Sequence, residues 1–334
     1  MSNDRLAVTI TDVARRAGVS PATVSRVFND QFRGDVETAQ RVRSAATELS
    51  YTPNHLARSF ARGKTSAVGF LVPDLANPVF QAVLTGLSLA AGDDGYRVLV
   101  ADSAESIDDE PLLAGEIRRR CDALVLCAPR MEDDILAQTV LDLAPVVLTN
   151  RSNTVIDAPT LSADSRTGFE NLARHLYTLG HRRLAYVEGP EGSANHNRLR
   201  GLEDFVRSVE GVSLQRVPGG ATSTSGMDAV DALVKSRATA AIAFNDLVGL
   251  GVVHGLGERG LRVPDDISVT GFDDIPFARF MTPTLTTASV PHEILGGLAW
   301  SRLHALIEGR TPEHNVVFQP RLEARRSTAA PPSA

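Results

Sequence analysis

Beyond Gly63 the chain alternates between two textures. Short runs that are apolar at nearly every position, "SAVGFLVPD", "YRVLVADS", "CDALVLCAP" and "PVVLTNR", are separated by longer stretches, "NPVFQAVLTGLSLAAGDDG", "EPLLAGEIRRR" and "EDDILAQTVLDLA", whose apolar residues recur at helical spacing. Such runs read as strands covered on both faces, so the alternation predicts βαβα repetition, a parallel sheet with helices outside it. A second series follows in "LARHLYTLG", "RRLAYVEG", "NRLRGLEDFVRSVEG", "MDAVDALVKS", "TAAIAFND", "GLGVVHGLGERG" and "ISVTGFDD". Two series predict two α/β lobes, and the loops at their strand C-termini predict a ligand cleft where the lobes meet.

The N-terminal segment has a different pattern. In "TITDVARRAGVSPATVSRVFN", Thr9 and Asp12 have capping-box spacing, and Val13, Ala14 and Ala17 share a helical face. Gly18, Val19 and Ser20 supply a turn: Gly18 for a positive φ, Val19 as an apolar plug, Ser20 as the next cap, with Pro21 at the first helical position. A second helix, Pro21 to about Asn29, turns Val24, Val27 and Phe28 inward and leaves Pro21, Ala22, Ser25 and Arg26 outward. A third, starting near Asp35, brings Val42, Ala45, Ala46 and Leu49 to one side. Two helices joined by a short glycine-containing turn form the helix-turn-helix unit, whose second helix enters the DNA major groove.

After it, "HLARSFARGK" predicts a nine-residue helix over 54–62, capped by Asn54 and ended by Gly63. It is too short to be stable alone in water. Leu56, Ala57 and Phe60 suit a face laid into the minor groove, with Arg58 and Arg62 on phosphates. The organisation expected is a DNA-binding domain over 1–53, a hinge helix and linker over 54–64, and a two-lobed ligand-binding body over 65–334.

Charge sharpens this division. At 334 residues, 43% hydrophobic and 22% charged, the chain can bury more than one core. Its net charge of −6 argues against a surface that binds polyanions throughout, yet residues 1–64 hold ten basic and six acidic side chains, so a +4 head joins a −10 body. No apolar run reaches the roughly 18 residues of a membrane span, and "MSNDR" opens no signal sequence. The expectation is a cytoplasmic protein with no membrane partner. Cys121 and Cys127 bracket "DALVL", where a strand would set them on one face as buried thiols in a reducing compartment.

Catalytic signatures are missing where an enzyme would carry them. Between the first body strand and its helix stands Val72-Pro73-Asp74-Leu75-Ala76-Asn77-Pro78 instead of a glycine fingerprint for a dinucleotide. No GxSxG elbow occurs, and His175, His181 and His254 read as helix-end or surface residues. Neither an enzyme nor a bound cofactor or metal is expected.

The ordered motifs resemble the LacI/GalR family of transcriptional regulators over essentially the full chain: the opening stretch, then "LSYTPNHLARSFA", "AVGFLVPDLANPVF", "TLGHRRLAYVEG", "RLRGLEDF", "FNDLVGLG", "PDDISVTGFDDIPFARFMTPTLTT" and "LEARRST". The resemblance implies a small all-α helix-turn-helix domain followed by a two-lobed α/β, periplasmic-binding-protein-like domain with parallel sheets. It implies that Pro21, Ala22 and Arg26 face base edges, and that Thr9, Ser20, Thr23, Ser25 and Asn29 face phosphates or backbone. Arg26 is the residue for direct readout, because its planar fork fits guanine O6 and N7. The hinge carries Asn54, Ala57, Arg58 and Phe60 to the DNA. In the body it assigns effector contacts to Phe80, Asn150, Arg198, Asn245, Asp246 and Asp273.

Some positions depart from the family pattern. Asp35 and Ala39 stand where serine and arginine are frequent, which removes a phosphate contact that Arg33, Arg41 or Arg43 would have to replace. Phe60 takes the place of a leucine wedge. Asn150 replaces a frequent aspartate, Ala221 an aromatic wall and Val290 a polar contact, so the pocket should be differently walled. The function implied is a homodimeric repressor on a pseudopalindromic operator, released by a small effector, with a sugar as first choice and nucleosides or purines as alternatives. Activation, corepression, or a ligand-binding protein with weakened DNA binding are the other readings.

Overall fold

The computed structural model describes residues 8–28, 31–51, 64–151, 156–313 and 315–332. Two compact units divide the chain, Met1–Thr65 and Ser66–Ala334.

In the first unit, α1 (Ile10–Ala17) starts at a complete capping box: the Asp12 backbone N–H donates to Thr9 Oγ1, and the Thr9 N–H donates back to Asp12 Oδ2 at 3.0 Å. Gly18 ends it at φ 68°, the left-handed conformation that glycine adopts without a Cβ penalty. Ser20 Oγ accepts from the Thr23 N–H at 3.1 Å and so caps α2 (Pro21–Phe28). Asp35 Oδ1 accepts from the Thr38 N–H at 2.6 Å and caps α3 (Val36–Glu48). The aspartate that departs from the family pattern is therefore an N-cap, a role that serine and aspartate fill equally well. Val13, Ala14, Ala17, Val24, Val27, Val42, Ala45 and Ala46 form the core, with Phe28 and Tyr51 packed at its edge.

The second unit follows the predicted alternation: β1 (Ala67–Val72), α4 (Pro78–Asp93), β2 (Arg97–Asp102), α5 (Glu110–Arg118), β3 (Ala123–Cys127), α6 (Asp133–Leu143), β4 (Val146–Thr149) and β5 (Thr160–Ala163). Then come α7 (Ser165–Thr178), β6 (Arg183–Val187), α8 (Ser193–Ser208), β7 (Ser213–Val217), α9 (Ser223–Asp228), α10 (Val230–Lys235), β8 (Ala240–Ala243), α11 (Asp246–Glu258) and β9 (Ser268–Thr270). The stretch "MDAVDALVKS" of the second series spans the end of α9 and all of α10, which meet at Ala229. The closing segment adds α12 (Pro276–Phe280), β10 (Thr287–Ser289), α13 (His292–Ile307), β11 (Asn315–Phe318) and β12 (Arg321–Glu323).

Lobe one is a parallel sheet in the order β11-β5-β4-β3-β1-β2, and lobe two a parallel sheet in the order β7-β6-β8-β9. The chain passes between lobes after β5, between β10 and α13, and between β11 and β12. The antiparallel pair β10–β12 lies on two of these passages, and Asp273 bridges to Ser289 beside it. Lobe one is thus finished only by the returning α13 and β11. Helix α13 lies directly on α4: a Cβ on Gly86 would sit 1.9 Å from the Glu293 carbonyl oxygen, and one on Gly296 would sit 2.0 Å from that of Val83. Two facing glycines let the backbones touch.

The two cysteines are buried and unbonded, but they do not share a face. Cys121 precedes β3 and packs in the cluster with Ile117, Leu124 and Met131, while Cys127 ends the strand in the other cluster with Phe70 and Val125. The turn before β3 breaks the alternation that the spacing assumed. Burial pushes the Cys121 thiol up to about 11 and the Cys127 thiol up to about 12, which keeps both protonated and unreactive. His181 sits at the end of α7, its N–H on the Leu176 carbonyl, but not at the surface. It is buried, with Nδ1 against Thr239 Oγ1 at 2.9 Å and Nε2 against the Ala329 carbonyl at 2.9 Å, pinning the C-terminal tail to lobe two.

Candidate functional site

Each strand of the two parallel sheets from β1 onward ends toward a loop, and in open α/β sheets those C-terminal ends are where ligands collect. Here they converge. After β1 come Asn77, Val79 and Phe80; after β3, Ala128 and Arg130; after β4, Asn150 and Arg151; and from β5 and its exit, Ser162, Ala163 and Ser165. Lobe two contributes Ser193, Ala194, Asn197 and Arg198 after β6, Ala221 after β7, Phe244 and Asn245 after β8, and Phe272 and Asp273 after β9. His292 closes the ring from the passage into α13. Together they enclose a concave cleft between the two lobes of the body, the kind of place where small molecules bind.

Five of the six body residues expected at the site line this cleft: Phe80, Asn150, Arg198, Asn245 and Asp273. Arg198 projects from α8. Its Nη1 donates to the Phe244 carbonyl at 2.5 Å, and the guanidinium lies over the Phe244 ring at 3.9 Å and the Phe272 ring at 4.9 Å. Burial lowers its pKa, and the charge of Asp273 is the largest influence opposing that. Its Nε is buried with no hydrogen-bond partner among the described residues.

Asp273 is 7% exposed and holds φ 107°, a conformation that costs a non-glycine residue about 1–3 kcal/mol. The surroundings hold it there. Its N–H donates to the Ala288 carbonyl at 2.8 Å, and the next residue, Asp274, is clamped by Arg325 at 2.5 Å and Arg279 at 2.6 Å. Asn150 also has positive φ, at 53°, with its N–H on the Leu161 carbonyl. Asn245 is largely committed already: Oδ1 caps α11 through the Val248 N–H at 2.9 Å, and Nδ2 donates to the Ala221 carbonyl at 3.0 Å. One amide hydrogen is left for a ligand.

Asp246 does not belong with them. It is fully buried off the cleft, where Oδ1 accepts from the Thr287 hydroxyl at 2.6 Å and Oδ2 from the Ile275 N–H at 2.8 Å. Burial and then the charge of Asp273 push its carboxyl well above the ordinary range. Its role is to tie α11 to β10 and the loop after β9. Val290 is buried and does not line the cleft, whereas Ala221 does. The aromatic wall that Ala221 lacks is supplied by Phe80, Phe244 and Phe272. The last two were legible as neighbours of "ND" and "DD" at strand ends. His292 has no marker in the sequence, because Gly296 and Gly297 interrupt the apolar pattern of the segment that carries it.

Cationic side chains at the rim come with carboxylates. Arg130 Nε meets Glu105 at 2.7 Å, Arg151 Nη2 meets Asp133 at 2.7 Å, and Arg198 feels the charge of Asp273 from its own lobe. The site is close to neutral, rich in amides and hydroxyls, and floored by aromatic rings. Among the described residues no His, Cys, Asp and Glu group is arranged to hold a metal.

In the first unit, α2 exposes Pro21, Ala22 and Arg26 and buries Val24 and Val27, with Thr23 and Ser25 half-buried at its flanks. The Arg26 guanidinium has no ion pair among the described residues. Thr9 and Ser20 are exposed at the two caps, where their hydroxyls are already used within the head. Asn29, Asn54, Ala57, Arg58 and Phe60 lie outside the described residues. No described helix is long and apolar enough to cross a membrane.

Comparison with known proteins gives a family model, "Bacterial regulatory proteins, lacI family", over residues 9–54 and a periplasmic binding protein-like domain over residues 173–328. The transcriptional regulator GalR of Escherichia coli is 33% identical over 97% of this chain and 96% of its own length. The lac repressor dimer bound to operator and the anti-inducer ONPF superposes with a TM-score of 0.86 at 26% identity, covering 97% of this chain and 100% of that one. A complex of the transcriptional regulator CelR with cellobiose gives 0.70 at 27% identity, covering 96% and 99%.

Proposed function

Because the chain belongs to the LacI/GalR family of transcriptional regulators, we propose that it is a cytoplasmic repressor released from its operator by a neutral, hydroxyl-rich effector, a sugar or sugar derivative. The observation that carries the effector class is the charge balance of the cleft: each of its three arginines has a carboxylate nearby, and the remaining polar lining is amide and hydroxyl over phenylalanine rings. A free anion would meet Arg130 and Arg151 already paired with carboxylates and Arg198 beside the charge of Asp273, while a polyol offers donors to Asp273, acceptors to Asn150 and Arg198, and an apolar ring face to Phe80. The cellobiose held by CelR supports the same class.

DNA recognition rests on the exposed face of α2. Arg26 reads a guanine edge, and Pro21 and Ala22 offer apolar contact to a thymine methyl. Two heads of a homodimer meet a pseudopalindromic site, with Asn54, Ala57, Arg58 and Phe60 of each hinge at the central minor groove. An effector that prefers one arrangement of the lobes shifts the equilibrium only by its differential affinity for the two.

The test is binding of the full-length protein to promoter fragments flanking its own gene, followed by anisotropy on the protected duplex with neutral pentoses, hexoses and disaccharides. Release by one of them is expected. A sugar that tightens operator binding would reverse the sign to corepression, and absence of any protected site would favour a ligand-binding protein that has lost operator recognition.

A further inference from the structure

We propose that His292 is an effector-binding residue that reads, together with Asp273, a single hydroxyl of the ligand across the cleft. The inference rests on the neutral-polyol reading above and deepens it. His292 is 8% exposed and lines the cleft, yet neither ring nitrogen has a hydrogen-bond partner among the described residues. Buried imidazoles in folded proteins are almost always bonded. Its Nε2 stands 3.5 Å from Asp273 Oδ1, in line of charge but without hydrogen-bond geometry. Close by, the Nε of Arg198 is a further buried donor left open on the same cleft.

Two polar atoms 3.5 Å apart can both reach one oxygen at about 2.8 Å. The group that satisfies both is specified by their chemistry. Asp273 only accepts, so the oxygen must carry a proton; a neutral imidazole with its hydrogen on Nε2 donates, so the same oxygen must also accept. A hydroxyl does both. An ether or carbonyl oxygen cannot donate to Asp273, and an ammonium cannot accept from His292.

The two residues also come from different parts of the fold. Asp273 follows β9 in lobe two, while His292 is the first residue of α13, which lies on α4 in lobe one. A hydroxyl held by both ties the lobes, so the contact contributes to release as well as to affinity.

The experiment is calorimetry of the full-length protein with a panel of neutral pentoses, hexoses, disaccharides and nucleosides, continued with each singly deoxygenated analogue of the tightest binder. His292→Phe and His292→Gln are measured beside the wild type, with thermal melts as folding controls. One deoxy analogue should bind the wild type about 10–100-fold more weakly. His292→Phe should lose a similar factor on the parent sugar and little more on that analogue. His292→Gln, which can place an amide nitrogen near Nε2, should recover part of the loss. Additive losses from ring removal and deoxygenation, or full affinity in a folded His292→Phe, overturn the assignment and leave the polyol reading standing. If Phe at this position does not fold, the same comparison is made with Gln alone, where additivity again overturns it. No binding by any panel member overturns the polyol reading and the His292 assignment together.

Discussion

Two aspartates at strand ends show how far single residues can be read from sequence. "FND" and "GFDD" both put a carboxylate at the C-terminal end of a strand, where ligand contacts belong. Only Asp273 reaches the cleft. Asp246 turns inward because a hydroxyl on Thr287 and an N–H on Ile275, both distant in sequence, converge on it. That convergence is a tertiary fact with no local signal. It also carries a pH signature. Since burial raises the Asp246 pKa, the folded chain keeps this proton to higher pH than the unfolded chain, so stability falls as pH rises above the unfolded value near 4. Asp246→Asn should remove that slope, stay within about 1 kcal/mol of wild type near neutrality and leave effector affinity unchanged. Urea unfolding at pH 5 and pH 8 checks it; identical pH dependence in both proteins would contradict the account. Arg26, by contrast, was legible from helical spacing alone, since its neighbours Val24 and Val27 are buried and it is not. Arg26→Ala should cost about 1–3 kcal/mol of discrimination between operator and scrambled DNA at fixed salt, while weak nonspecific binding persists. An unchanged ratio would exclude it from base readout.

At the scale of elements, what was legible is what local chemistry dictates. The capping box at Thr9 and Asp12, the Gly18 turn, and the apolar runs of β1, β3, β4, β6 and β8 appear where the pattern put them. The edge strand β7 was missed because it is exposed along most of its length and has no apolar run. Helix α13 was missed for another reason. His292, Leu295, Gly296, Ala299 and Leu303 do mark a buried helical face, but Gly296 and Gly297 interrupt the apolar stripe and lower its helix propensity. Those glycines make sense only beside α4. Gly86→Ala should destabilise the body by about 1–3 kcal/mol through overpacking, although alanine is the better helix former. Calorimetric or urea denaturation reads this directly; a variant as stable as wild type would show that the helices can separate without cost.

For the whole molecule, the open question left by the sheet is its far edge. β2 ends the lobe-one sheet and exposes Leu99 and Val100, and the helices flanking it expose Leu89 and Leu112. Edge strands of parallel sheets are seldom left apolar toward water, so a second copy is the covering expected of a homodimer. Val100→Lys should yield monomers by sedimentation and weaken operator binding by roughly 10²-fold or more, because two linked heads become one, while effector affinity is retained. A dimeric Val100→Lys would place the interface elsewhere. The order in which the chain visits its lobes has a further consequence, in time. Among the described residues the head's core ends at Tyr51, whereas lobe one waits for β11 and lobe two for the Ser327–Ala329 tail. Translation at about 5–20 residues per second separates these events by tens of seconds. In a newly made chain the described core of the head is therefore complete in sequence well before either lobe of the body can close, and a ribosome that stops short of β11 releases a chain whose lobe one cannot be finished.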